Sequence, residues 1–221
     1  MKKTGIILLS LFLLAACNNM YKKTLTGNGT PVTITRKTAA YDAVLVNSSF
    51  EVELVKGEPG TITLNLDENL ADYVEVYVKK GKLHIKLDDD YRLGDFTVLK
   101  VVVPVQNLRE LAIAGSGKIY AEDGFETPEL KISIAGSGSI TLPGSVQELE
   151  INIAGSGSVH LPDLIARNVA VNIAGSGEVL VHPVDKLEVN IVGSGVVLYN
   201  RKPAQIKTHS IGAGKVKYIK S

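Results

Sequence analysis

A tripeptide, Gly-Ser-Gly, recurs at near-constant intervals through the C-terminal half of this chain and restricts its fold more than any other feature. It stands at Gly115-Ser116-Gly117, Gly136-Ser137-Gly138, Gly155-Ser156-Gly157, Gly175-Ser176-Gly177 and Gly193-Ser194-Gly195, with a degenerate Gly212-Ala213-Gly214 after them. The first glycines lie 21, 19, 20, 18 and 19 residues apart, a period that belongs to stacked, solenoid-like units. One unit of that length cannot bury its apolar face alone, whereas stacked neighbours can.

The residues around each glycine pair sort by parity. Ile113, Ile134, Ile153, Ile173 and Ile191 stand two residues before the first glycine, and Leu111, Ile132, Ile151, Val171 and Val189 stand four before it. Ile119, Ile140, Val159, Val179, Val197 and Val216 follow it by four. A pleated chain points residues of one parity to one side, so these columns form the core. The other parity carries Ser133, Asn152, Asn172, Asn190 and His209, the charges Glu110, Lys131, Glu150, Glu188 and Lys207, and the serine between each pair of glycines, and it faces water. The glycines share the inward parity. A sharp corner is expected at each pair, with one glycine at a positive φ that costs other residues about 1 to 2 kcal/mol.

Two topologies fit this pattern. In a parallel β-helix each repeat is one coil and equivalent residues pile up about 4.8 Å apart; in the alternative, each Gly-Ser-Gly closes an antiparallel hairpin. The constant period and like-on-like columns favour the coil, because hairpins require no constant column. With 45% hydrophobic residues, no tryptophan and 21 glycines, the composition suits β structure and leaves little room for helix.

Residues 31–107 alternate without repeating. Val32-Ile34, Phe50-Val52-Leu54, Ile62-Leu64-Leu66, Val74-Val76-Val78, Leu83-Ile85-Leu87 and Leu99-Val101-Val103 are picked out as half-buried strands from the apolar positions of each stretch. Lys79-Lys80-Gly81-Lys82 is a hairpin turn, and one helical turn is expected between Asp67 and Asp72. An open β stack exposes unpaired backbone at its ends. This half is expected to cover one end, while Lys215, Lys217 and Lys220 charge the other. The fold class is therefore all-β: a β-sandwich-like N-terminal half leads into a C-terminal parallel β-helix, residues 108–221, of about six 18–21-residue rungs.

At the start, Lys2 and Lys3 precede an apolar run from Ile6 to Ala16 that is short for a bilayer span and ends in Leu14-Ala15-Ala16-Cys17. This resembles a bacterial lipoprotein signal, which implies cleavage after residue 16 and a diacylglycerol on the thiol of Cys17. Cys17 is the only cysteine, so stability must come from packing. Without the leader, 22 basic residues face 23 acidic ones, a balance that gives no support to nucleic-acid binding. The lipid is then the membrane contact, and residues 17–30 form a short tether. Asn18 departs from the pattern that retains lipoproteins at the inner membrane, so outer-membrane sorting is expected; a periplasm-facing anchor and surface display both stay open.

Further motifs carry a resemblance. Tyr41-Asp42-Ala43-Val44 with Phe50-Glu51-Val52-Glu53-Leu54, Gly81-Lys82-Leu83, Val101-Val102-Val103-Pro104 and the serial Gly-Ser-Gly units resemble the putative auto-transporter adhesin, head GIN domain family of bacterial cell-envelope proteins, common in Bacteroidetes. The resemblance implies one continuous β-helical domain over residues 31–221 at the envelope, in an adhesin role. It brings no catalytic residues to carry over.

Other chemistry is weighed on its residues. A dinucleotide fingerprint needs a third glycine and a helix, and Gly115-Ser116-Gly117-Lys118 lacks the rest of a P-loop. His160 with Asp163 and His182 with Asp185 share a three-residue spacing that makes zinc conceivable if successive coils bring them together. Surface loops explain them more simply. The Asn152-Asn172-Asn190 column is read as an amide ladder along the stack, or, with the column of Ser116, Ser137, Ser156, Ser176 and Ser194, as a polar strip that takes repeated glycan hydroxyls. Together these readings predict a lipid-anchored, non-enzymatic binding, adhesin-like or scaffold module without a metal or cofactor, whose partner is a glycan or another envelope protein. The alternative is a carbohydrate-active enzyme on a β-helix.

Overall fold

A computed structural model of the chain describes residues 22–220. The expected leader and lipidated Cys17 lie outside the described residues.

The repeats form a parallel β-solenoid. The strands approaching each glycine corner pair in register, so that Ile132, Ile151, Val171 and Val189 form one column and Ile134, Ile153, Ile173 and Ile191 another. The strands leaving the corners stack likewise, from Ile119 through Ile140, Val159, Val179 and Val197 to Val216. Parallel pairing throughout the repeat removes the hairpin alternative. A returning run places Val146 on Ala166 and closes the coil. Nearly all of these column residues are fully buried, and each contributes roughly 1.5 to 3 kcal/mol as an upper-end figure from buried area.

The two glycines of a corner are needed for different reasons. The first always has a positive φ, +121° at Gly155, and a Cβ there would lie 2.6 Å from the carbonyl oxygen of Gly136. The second turns inward, where a Cβ on Gly157 would lie 2.6 Å from Cγ2 of Ile134 in the preceding coil. Backbone bonding continues around the bend, since the Ser156 N–H donates to the Gly136 carbonyl and the Ser158 N–H to the Gly138 carbonyl, both at 2.9 Å.

The N-terminal half, expected to be sandwich-like, belongs to the same continuous sheet and runs into the same core. Ala43–Asn47 pairs in parallel with Glu110–Gly115 on one side and Lys82–Leu87 on the other; Glu51–Lys56 does the same between Lys118–Ala121 and Leu99–Val105. The stack thus gains two further coils, in an order different from chain order. Ser48-Ser49-Phe50 occupies the place of Gly-Ser-Gly, and Ser48 takes a positive φ of 93°. Antiparallel strands then end the stack: Val74–Lys79 on Lys82–Leu87, Thr61–Asp67 on Leu99–Val105, and Pro31–Lys37 on Thr61–Asp67. The expected helical turn is a 3-10 helix over Glu68–Tyr73.

Two interior groups tie this end together. The buried Tyr41 hydroxyl donates to the Pro104 carbonyl at 2.7 Å, and the buried Asp67 carboxylate accepts the Thr97 N–H at 2.9 Å. Part of the stretch expected as a tether, from Lys23 to Gly27, lies against the domain. Lys23–Leu25 pairs with Tyr91–Leu93, the Gly27 N–H donates to the Asp95 carbonyl, and the Asn69 amide donates to the Thr26 carbonyl, because backbone lying against the domain must find partners.

At the opposite end, Gln205–Gly212 is exposed along its length. Thr208 and Ser210 there continue the columns of Val189 and Ile191, so these two columns end in hydroxyls, while Ile206 continues the column of Leu187. No helix among the described residues is long and apolar enough to cross a membrane.

Candidate binding face on the solenoid

The approach strands present one long outward face, ordered in columns. Next to the corners stand Ala114, Ala135, Ala154 and Ala174, all exposed, followed by Val192 and Ile211 in the same column. Alternation alone sends these residues outward, yet they are apolar; Val192 and Ile211 are 57% and 59% exposed. Two residues earlier runs the column Ala112, Ser133, Asn152, Asn172, Asn190 and His209. From Ala112 and Ala114 to Asn190 and Val192 they floor an apolar trough of about 690 Å³, which Leu45 and Asn47 of the neighbouring N-terminal coil bound at one end; His209 and Ile211 continue the columns beyond it.

The asparagines bond along the stack. The Asn172 amide donates to the Asn152 carbonyl oxygen and the Asn190 amide to that of Asn172, each at 3.0 Å. The first amide of the series donates to the Glu150 carboxylate at 2.7 Å. That bond, with the Lys131 ammonium 3.4 Å away, holds the Glu150 carboxyl below its ordinary pKa. The serines Ser116, Ser137, Ser156, Ser176 and Ser194 sit on the corners, and the exposed alanine column separates them from the asparagines. The face is therefore amide, then methyl, then hydroxyl, where residue counting alone suggested one polar strip.

Beyond the amides lies a charged groove of about 780 Å³. Glu110, Lys131, Glu150, Ala170 and Glu188 form its inner column, which Lys207 continues beyond the groove; Lys82 pairs with Glu110, and Lys186 with Glu188 at 2.7 Å. The Lys186 bond keeps the Glu188 carboxyl below its ordinary pKa.

The two histidines do not stack. His160 lies beside Leu180 in the next coil and 3.7 Å from the Glu178 carboxylate, whereas His182 pairs with Ile165, and Asp185 accepts from Arg167. The register shifts between His160 and Ile165, where four residues of one coil stand against Val181 alone in the next, so equal spacing in sequence does not become proximity in space. Among the described residues, no group of three or more His, Cys, Asp or Glu side chains is placed to hold a metal ion.

The fold has solved relatives. The chain is similar to a putative lipid binding protein of Parabacteroides distasonis ATCC 8503, with 27% identity and a TM-score of 0.62 over 90% of this chain and 100% of that one. A putative adhesin from the same organism shares 23% identity at a TM-score of 0.54, covering 89% and 100% of the two chains. A putative adhesin of Bacteroides fragilis NCTC 9343 shares 18% identity at 0.70, covering 88% and 100%. No curated protein matches the chain. The model of the family described as putative auto-transporter adhesin, head GIN domain, matches residues 40–203, a span that takes in the outward columns from Leu45 to Val192, and the chain belongs to that family.

Proposed function

We propose that this protein is a non-enzymatic binding module of the cell envelope, lipid-anchored through Cys17 at the outer membrane, that docks a macromolecular partner on the outward face of its approach strands. One observation carries the reading: a row of apolar side chains stays exposed along the whole repeat, coil after coil, on a face whose other columns are polar. Scattered exposed aliphatics are ordinary, but contiguous apolar patches mark interaction sites. The family and the solved relatives, described as adhesins or binding proteins, support the same class. A long flat platform of fixed side chains suits an extended or broad partner, since it offers many weak contacts at little cost in ordering.

The experiment is retention of the full-length, detergent-extracted protein on envelope fragments, beside a variant with Ala154→Glu in the apolar row. Retention lost in the variant and kept by Lys217→Glu at the far edge is the expected result. Equal retention of both variants would remove the face from the reading, and saturable turnover of an envelope glycan, lost on His160→Ala, would replace it with an enzyme. Protease treatment of intact cells tests the membrane side: digestion is the outcome for surface display.

The second reading is a lipid as ligand. The apolar floor of the trough favours it, as does the likeness to the Parabacteroides distasonis protein described as lipid binding.

A further inference from the structure

We infer that the partner on this face is a second copy of the same chain, packed face to face with the two stacks antiparallel. The inference rests on the reading of the face as a docking surface.

The apolar row is graded in size. From the Gly115 coil to the Gly212 coil it reads Ala, Ala, Ala, Ala, Val, Ile. The adjacent column grows in the same direction, from Ala112 and Ser133 through three asparagines to His209. The face is therefore a wedge, low at one end and high at the other. Consider a two-fold axis parallel to the strands, between the Gly155 and Gly175 coils. It keeps each column opposite itself and reverses the order of the coils. Ile211 of one copy then lies over Ala114 of the other, Val192 over Ala135, and Ala154 over Ala174. Two opposed wedges leave a constant gap. In a self-complementary interface of this kind, each contact occurs twice.

Charge follows the same reversal. In the column that runs from Glu110 to Lys207, Glu110 falls opposite Lys207 and Lys131 opposite Glu188, while Glu150 falls opposite the uncharged Ala170. A two-fold axis along the stack, which would set the two stacks parallel, reverses the strands and does not keep this column opposite itself, so these pairings belong to the antiparallel arrangement. Opposed charges across an interface favour one register and penalise the others. Leu45 and Asn47, at the N-terminal rim of the trough, stop the partner's last coil from sliding further.

Six coils at about 4.8 Å, by roughly 17 Å of strand, give about 500 Å² per copy and about 1,000 Å² in all, the lower end for specific complexes. The pair is accordingly a reversible one.

The test uses the full chain in detergent with Cys17→Ser, so that introduced cysteines are the only thiols. Under mild oxidation, Ala114→Cys/Ile211→Cys is expected to give a disulfide-linked dimer, and mixing the two single variants gives the same product. Within one copy the two positions are five coils apart, roughly 24 Å, too far to bridge. Either single variant alone is expected to link at least tenfold less. Linking by Ile211→Cys alone, as strong as in the double variant, would mean that the ends meet instead of the faces and would overturn the inference. No link in the double variant or the mixture would overturn it too.

Sedimentation equilibrium supplies the second readout. Lys207→Glu weakens dimerisation about tenfold, and adding Glu110→Lys restores most of it, because the reversed pair is complementary again. Failure of that restoration counts against the antiparallel register. If envelope fragments retain the protein while no linked dimer forms, the face remains a docking surface and only the second copy falls as its partner.

Discussion

At single residues, the corner separates backbone requirements from side-chain ones. Gly155→Val is expected to lower stability by about 3 kcal/mol, since it adds a side chain at positive φ and drives it into the Gly136 carbonyl. Ser156→Ala, on the exposed tip of the same corner, is expected to stay within about 0.5 kcal/mol; urea unfolding of both variants checks the contrast. Tyr41 supplies a pH test. Burial raises its phenol pKa above the ordinary 10.0, so the folded state favours the neutral ring. The contribution is fully present below about pH 10, where Tyr ionises in the unfolded chain, and is lost as pH rises from there towards the folded value. Tyr41→Phe removes the bond to the Pro104 carbonyl at a cost of about 1 to 2 kcal/mol near neutral pH and flattens the alkaline fall.

At the scale of elements, a coil is a pattern of positions that tolerates more than one sequence. Ser48-Ser49-Phe50 makes the corner that glycines make elsewhere, and Ser48 accepts a φ of 93° to do so. Ser48→Gly relieves that conformation and is expected to add about 0.5 to 1 kcal/mol, read as a higher urea midpoint at constant slope. The asparagine ladder is the second element. Asn172→Ala breaks one donated and one accepted bond on a half-exposed face, for a loss of about 1 kcal/mol. The ladder was readable from three asparagines at one offset. The Ser48 corner was not, because it lacks the glycines by which the repeat is recognised and is joined to its neighbours by pairing between strands distant in sequence.

For the whole molecule, the two ends are treated differently. Antiparallel strands cover the N-terminal end, whereas among the described residues no strand covers the C-terminal end, where two core columns end in Thr208 and Ser210 and the last strand carries lysines. Thr208→Val/Ser210→Ile would continue the aliphatic columns to an exposed edge. Growth of large particles by light scattering is the expected outcome, as unpaired apolar edges recruit further strands. That end-to-end growth is separate from the face-to-face pair, whose contacts use the opposite parity.

Period and parity, both local properties, sufficed to identify the class of fold, the core columns, the glycine corners and the outward asparagines and serines, because stacking copies the same contacts in every coil. Tertiary structure alone decided which N-terminal strands join the stack, where the chain after Lys23 docks, and that the two histidine pairs stand apart. It also turned six outward residues, each unremarked in its own repeat, into a graded apolar row. That row exists only when coils are set side by side, since the residues composing it are separated in sequence by whole turns of the solenoid and meet through backbone pairing.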